Sequence, residues 1–371
     1  VKAEKVNFSK KPDPAPRVIQ PRSPRYNLEV GRYLKPFEHE LVAGFGRAWG
    51  YDVVCKGKNA DAVAQQLRHN WEAFERPVAV GLDAHRFDQH VSRDMLMFEH
   101  SIYNSVFRSP ELARLLKWQL RNHGYGRIGP FLAKYVVDGC RMSGDINTGM
   151  GNCLIMSLLV LNYFEEVGLQ ACLTNNGDDC VVICDTRDLH KLDGLDKYFL
   201  EFGFSLAREA NVYVFEKIEF CQTQPVVVGD HYRMVRNPWT AMSKDCVSLL
   251  SWATPEEFNV WRSAIGVCGG ELTTGVPVWE SFYAAIRGQN RGVGGIEAVY
   301  DSGMGYLARG VTAVGQVSDA SRYSFWLAFG ILPDMQIAME ESYPTIQYSA
   351  PCPLTLRQIS KFPTPLSCLQ K

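Results

Sequence analysis

Four aspartates carry the chemistry that stands out in this sequence. Asp178 and Asp179 follow Asn176-Gly177, a turn-forming pair between two apolar runs, Gln170–Thr174 and Cys180–Cys184. Asp83 ends a third apolar run that begins at Val78, and Asp88 lies five residues further on. Carboxylates at strand tips are hard oxygen ligands. Two or three of them suffice for Mg²⁺, which keeps water or phosphate as its other ligands. Two divalent ions held this way activate a hydroxyl and neutralise a departing pyrophosphate, which is what phosphoryl transfer from a triphosphate needs. Each piece alone is ordinary. Asn-Gly-Asp-Asp is good turn chemistry, and Asp83 could simply cap the segment after it.

For these side chains to meet, the run ending in Asp83 must lie beside the hairpin that carries Asp178. The surrounding pattern predicts a helix over 61–74, with apolar positions Val63, Leu67 and Trp71, and a Ser92-capped helix to about Val106. A hairpin is expected within 121–142. A long helix runs from Thr148 to Val167 and stops at Gly168. Thr148 and Asn152 are four apart and share one face of that helix, so both can address one small polar target. An amphipathic helix over 189–202 and strands at 211–215 and 220–228 follow. Before all this, the first 30 residues, rich in Pro and basic residues, read as extended loops and short strands. Beyond about 230 the character turns to helices and glycine loops. Thr254-Pro255-Glu256-Glu257 is a good helix start, Gly292–Gly295 reads as a loop, and an extended tail begins at Tyr343.

Composition is that of a globular protein, with 46% hydrophobic and 21% charged residues among 371. The formal net charge is only -1, yet nine basic residues and three acidic ones lie within the first 35 positions. Any phosphate-attracting field is therefore local, and a solvated basic arm is the plain alternative. The 11 cysteines show no zinc-site spacing, and a reducing cytosol suits them best. No apolar run is long enough to predict a membrane span. The absence of Met at position 1 and of a signal-peptide pattern suits a processed product or a piece of something longer.

The ordered set of motifs resembles the RNA-dependent RNA polymerases of the tombusvirus family of positive-strand RNA viruses. The residues that carry the resemblance are Arg17-Val18-Ile19-Gln20-Pro21-Arg22-Ser23-Pro24-Arg25-Tyr26-Asn27 (motif F) and Asp83-Ala84-His85-Arg86-Phe87-Asp88 (motif A). They continue with Ser143-Gly144-Asp145-Ile146-Asn147-Thr148-Gly149-Met150-Gly151-Asn152 (motif B), Asn176-Gly177-Asp178-Asp179 (motif C) and Phe220-Cys221-Gln222 (motif E). The match covers about residues 15–230. It implies an α+β right-hand polymerase fold with an antiparallel palm sheet. Fingers would occupy 1–75 and 107–142, palm 76–106 and 143–229, and thumb with tail 230–371.

The same resemblance implies residue roles. Asp83 and Asp178, with Asp179 as a weaker third, would hold Mg²⁺, for which Mn²⁺ can substitute. Asp88, Thr148 and Asn152 would read the ribose 2′-hydroxyl of the incoming NTP. Ser143 and Gly144 would let the backbone approach the template or nascent base pair, and Arg17, Arg22 and Arg25 would grip triphosphate oxygens. Lys10 and Lys11 share that role or are solvated. In motif D the nearest basic residue is Arg208, with Lys217 as a fallback. A guanidinium is a poor proton donor, so Arg208 would stabilise charge. Arg233, Arg287 and Arg291 are candidate contacts for product-duplex phosphates. Trp239, Trp252, Trp261 and Trp279 are expected in the core, and His85 and His90 are expected to be structural.

Template and product RNA, NTPs, and viral and host replication factors are the partners implied. Membrane contact would come only through regions outside this chain, in a replication complex of the host cytoplasm. A reverse transcriptase shares the palm and the metal chemistry but usually places a bulky side chain against the 2′-hydroxyl. A non-catalytic RNA-binding scaffold would have lost a metal-binding aspartate, and none is replaced here.

Overall fold

A computed structural model of the chain describes residues 17–128, 130–247, 254–288 and 308–346. The chain divides into two units, one of Ile19–Gly57 and Gln66–Tyr213, the other of Val1–Val18, Lys58–Gln65 and Val214–Lys371. Helix and strand are mixed, and every strand pairing within the sheets is antiparallel.

The first unit opens with α1 (Pro24–Trp49), where the proline- and arginine-rich sequence suggests extended chain. The reason is local. Ser23 accepts a hydrogen bond from the Tyr26 amide, Pro24 occupies the first helical position, and Tyr26, Val30 and Leu34 recur every four residues on a buried face. Residues 1–16, including Lys10 and Lys11, lie outside the described residues. Helix α2 (Ala60–Glu72) begins among residues of the other unit and ends in this one. Strand β1 (Pro77–Ala84) leads into a short helical turn, α3 (Phe87–His90), and then α4 (Arg93–Phe107), which Ser92 caps at the Met95 amide as its sequence predicts. After α5 (Pro110–Lys117), the hairpin β2 (Arg121–Ile128) and β3 (Phe131–Asp138) stands as its own two-stranded sheet.

Helix α6 (Thr148–Val167) keeps its predicted bounds and ends with Gly168 in the left-handed conformation. Thirteen of its 20 residues are buried, so it is a central helix with almost no solvated face. Strands β4 (Ala171–Asn176) and β5 (Asp179–Asp185) form the acidic-tipped hairpin. The expected helix over 189–202 is instead a 3₁₀ stretch, Thr186–Gly194, followed by α7 (Leu195–Glu201), because Asp193-Gly194 interrupts a continuous helix. Strand β6 (Leu206–Arg208) completes a four-stranded sheet of order β4-β5-β1-β6. Val78, Val80 and Leu82 of β1, with Cys180, Val182 and Cys184 of β5, share one core with the buried residues of α6 and α7. The strand expected at 211–215 reduces to a single bridge, Val212 to Ala79.

The second unit contains the hairpin β7 (Thr223–Val228) and β8 (His231–Arg236), then α8 (Pro238–Asp245), α9 (Pro255–Leu272), α10 (Trp279–Arg287), α11 (Asp319–Phe329) and α12 (Pro333–Ser342). Thr254 caps α9 at the Glu257 amide, as expected. Trp261 and Trp279 are core residues, whereas Trp239 is exposed at 61%. Trp252, the Gly292–Gly295 loop, Arg291 and the tail from 347 onward lie outside the described residues. No helix among the described residues is long and apolar enough to cross a membrane.

Arg233 corrects its reading as a phosphate contact. It is fully buried, its Nε lies 2.5 Å from Asp61 Oδ1, and it also donates to the carbonyls of Thr274 and Thr312. Burial pushes Asp61 up, but the Arg233 hydrogen bonds and charge outweigh it and hold the carboxyl below its ordinary value. Removing one partner of such a pair leaves an uncompensated buried charge. Arg233→Ala is therefore expected to destabilise the chain by about 3–5 kcal/mol, read as a lower urea midpoint at an unchanged slope.

Candidate active site

The antiparallel register of β1 on β5 builds the acidic tip. Asp83 pairs with Asp179, and Leu82 with Cys180, so the two aspartates leave the sheet on one face while Leu82 and Cys180 enter the core on the other. Asp178 is in the bend itself, next to Asp179. Asn176 pairs with Asp179, which leaves Gly177-Asp178 as a two-residue loop. Gly177 has φ +95°, the conformation that the first position of a type II′ turn demands, and the buried Asn175 side chain accepts from its amide at 2.5 Å. Asn175 is itself fixed by bonds to the Cys153 carbonyl and Ser157 on α6. The turn is therefore held from below by the central helix. Asp83, Asp178 and Asp179 are all exposed.

This donor set fits a hard divalent cation. Neither Asp83 nor Asp178 has a Lys or Arg partner among the described residues. Among the same residues no three His, Cys, Asp or Glu side chains are grouped as a cage. Asp83 and Asp178 could hold a cation that keeps water and phosphate oxygens as its other ligands.

Next to the tip, the Asn152 amide on α6 donates to Asp88 Oδ1 at 2.7 Å, joining two residues that the sequence assigns to one task. Burial raises the Asp88 pKa. The Asn152 bond and the Arg141 charge oppose that rise, while the charges of Asp178 and Asp145 add to it. Asn152 is only 6% exposed, and its Oδ1 is buried without a hydrogen-bond partner. Thr148 is differently committed: its hydroxyl donates to the carbonyls of Met142 and Asp145 and thereby closes the loop before α6.

That loop rests on a buried polar network with no obvious signature in the sequence. Arg141 and Glu99 of α4 form a fully buried ion pair. Glu99 also accepts from Tyr103 and from Asn147, and Asn147 in turn accepts from Gln119, which is bonded to His100. Burial pushes Glu99 up and Arg141 down, but their mutual charge and hydrogen bonds prevail, so both stay ionised. Arg141 is also the cation whose charge reaches Asp88. Only spatial proximity reveals it, because Glu99 and Arg141 are 42 residues apart.

Among the described residues, no hydrogen bond or ion pair joins Arg22 or Arg25 to Asp83, Asp178 or Asp179. Arg22 Nε lies 2.5 Å from Asp145 Oδ1, and Arg22 also donates to Asn122, so it ties the N-terminal segment to the loop before α6. Arg25 is exposed in the first turn of α1, and Arg17 is exposed within the other unit. Ser143 is exposed. Gly144 has its open side filled by the chain itself, since a Cβ there would stand 2.4 Å from the Pro21 Cα. Arg208 pairs in register with Leu82, not Asp83, which turns its side chain to the opposite face, where it donates to Asp193 at 2.8 Å. It is not brought together with the three carboxylates. In the other unit, Phe220 and Thr223 close a tight turn in which Cys221 and Gln222 both hold positive φ, 51° and 61°. Neither is glycine, so this motif E turn is strained. His90 donates locally from Nδ1 to the Arg86 carbonyl.

A family model described as viral RNA dependent RNA polymerase matches residues 1–350. The chain belongs to this family. Among its relatives, the RNA-directed RNA polymerase of Melon necrotic spot virus is 47% identical over 351 residues, covering 92% of this chain and 44% of the relative. The RNA-directed RNA polymerase of Turnip crinkle virus is 44% identical, covering 94% and 45%. That of Tobacco necrosis virus (strain A) is 45% identical, covering 93% and 48%. The chain thus spans about half the length of the curated relatives it matches. In this viral polymerase family member, the acidic tip is carried by the two inner strands β1 and β5, and the Asp88–Asn152 pair joins α3 to α6.

The raised Asp88 pKa has a sign that can be measured. Its protonated form is favoured in the fold, so the stability it contributes is present at low pH and lost as pH rises through the raised value. Asp88→Asn should therefore raise the thermal midpoint at pH 7, and the gain should shrink to nothing below about pH 4.

Proposed function

We propose that this chain is the catalytic part of an RNA-directed RNA polymerase, adding ribonucleoside monophosphates from NTPs to an RNA 3′ end on a viral RNA template. The observation that carries the reading is the β1–β5 register, which sets Asp83 against Asp179 one residue from Asp178. The printed names of the relatives support the same activity. Asp83 and Asp178 would hold the divalent cations, Mg²⁺ or Mn²⁺, whose charge would supply activation of a 3′-hydroxyl and neutralisation of a leaving pyrophosphate.

The chain's own residues would do the rest. Asp83 and Asp178 orient the reacting groups from the ends of the two inner strands of the sheet, and Asp179 adds negative charge beside them. Asp88 accepts from a ribose 2′-hydroxyl while Asn152 keeps Asp88 aimed, and the unpartnered Oδ1 of Asn152 is a second acceptor at the same place. This set favours ribonucleotides by leaving buried polar atoms unpaired when the hydroxyl is missing. Arg25 and Arg17 remain candidates for triphosphate contact. In a right-hand arrangement, palm would be 76–106 and 143–229, fingers 1–75 and 107–142, and thumb 230–371. Replication of a positive-strand genome in the host cytoplasm, in a membrane-associated complex with viral and host factors, is the setting the family implies.

Two measurements test this. With purified chain, Mg²⁺ or Mn²⁺, labelled NTPs and primed template, Asp178→Ala should lower incorporation by roughly 10²–10³-fold or more. Retained metal-dependent incorporation would refute the mechanism. In competition between rNTP and dNTP, Asn152→Ala should narrow the preference for rNTP. Preferential dNTP use by the unaltered chain would instead identify a reverse transcriptase.

A further inference from the structure

Two lysines outside every motif stand beside the start of α6. Lys35 on α1 and Lys56 in the segment after it share one carboxylate, Glu38, at 3.1 Å and 3.6 Å. Glu38 is largely covered, with 17% of its side chain exposed, whereas the lysines retain 52% and 36%. Two cations on one anion leave a unit of positive charge uncompensated.

The position of Lys56 is imposed, not incidental. Its segment is pinned to the acidic hairpin: the Cys55 amide donates to the Asn175 carbonyl at 2.8 Å, and the Asn175 amide donates to the Val53 carbonyl at 2.9 Å. Gln66 fastens the same segment by donating to the Asp52 carbonyl. From there the Lys56 ammonium lies across Gly149, where a Cβ would come within 2.1 Å of Nζ. Lys35 reaches toward the same side, since its Cγ and Ile146 both line the open side of Gly31. The Cys153 thiol, which burial pushes up to about 11, feels Lys56 as well as Glu38 and Asp178. Lys56 and Asp178 therefore both act on this one buried thiol.

This arrangement costs energy as it stands. The first turn of α6 has no acidic residue, and its amides carry partial positive charge, which disfavours an adjacent ammonium. A surface pair such as Lys35–Glu38 returns little to offset that. A phosphate completes the charge balance.

We propose that Lys35 and Lys56, with Glu38 as the shared carboxylate that keeps them poised, form a phosphate-binding site beside the motif B helix. The inference deepens the polymerase reading and rests on it for the source of the phosphate, either an RNA backbone or the triphosphate of a nucleotide. Glu38 acts as a release element, because it competes with the phosphate for both ammonium groups.

The test uses the full 371-residue chain and two arms. One is fluorescence anisotropy with labelled single-stranded RNA across a salt series, and the other is the KM for NTP in primed synthesis. The double substitution Lys35→Gln/Lys56→Gln removes both charges while leaving a shorter polar side chain at each position. If RNA is the ligand, affinity should fall about tenfold at low salt and the log–log salt slope should shrink by about 1.4. If nucleotide is the ligand, KM should rise with RNA binding intact. Lys56→Arg should restore most of either loss. Glu38→Gln should act in the opposite direction, tightening the same arm by about 2- to 5-fold. A merely structural ion cluster predicts the reverse, with Glu38→Gln and the double variant both losing thermal stability and binding together. That result, or no change in either arm, overturns the proposal. Anisotropy needs no catalysis, so a chain that fails to polymerise refutes the functional reading without deciding this site.

Discussion

The pairing of β1 with β5 is the constraint on which the rest of the site depends. Side chains alternate along a strand, so a one-residue slip of β5 on β1 would turn Asp179 toward the core and bring Cys180 out, parting Asp179 from Asp83. Burial of Val78, Val80, Leu82, Val182 and Cys184 on the helix side makes that slip prohibitively costly. The apolar face thus does the positioning for the charged one. Exposed carboxylates that repel each other are held together by residues that never touch a substrate.

A second layer of polar groups sets the approach to these carboxylates. The buried Glu99–Arg141 pair is a weak source of net stability, since desolvation offsets much of its attraction. Its consequence is geometric. It anchors Asn147, the residue before α6, and so sets where the first turns of α6 begin and where Asn152 meets Asp88. Arg22 extends the same logic outward by clamping the N-terminal segment onto Asp145, with Pro21 passing so close to Gly144 that no side chain fits there. The loop before α6 is thus held from three directions by α4, by β2 and by the segment before α1.

Much of this was legible in the residues. The bounds of α6, the hairpin around Gly177, the strand ending in Asp83 and the caps at Ser92 and Thr254 rest on local rules: periodicity, a left-handed glycine and a hydroxyl facing a free amide. Local rules also misled. The run from Arg17 to Asn27 looks extended because Pro and Arg crowd it, yet Ser23-Pro24 starts a helix whose apolar face is buried from Tyr26 onward. Arg233 looks like any surface arginine until Asp61, far away in sequence, is found against it. The helix over 189–202 splits because a single glycine outweighs its amphipathic pattern.

The division between sequence and structure follows from distance along the chain. By itself the sequence determined which groups could act: the carboxylates at the Gly177 turn and at Asp83, the Thr148–Asn152 face, and an order of motifs that names a family. Only the tertiary structure decided which of them meet. It joined Asp88 to Asn152, turned Arg208 away to Asp193, committed Arg22 to Asp145 and laid Lys56 across Gly149. Ion pairs and side-chain hydrogen bonds are short-range and form between residues far apart in sequence, so no local pattern records them. Turns, caps and periodic faces form within a few residues, and there the sequence already contains both partners.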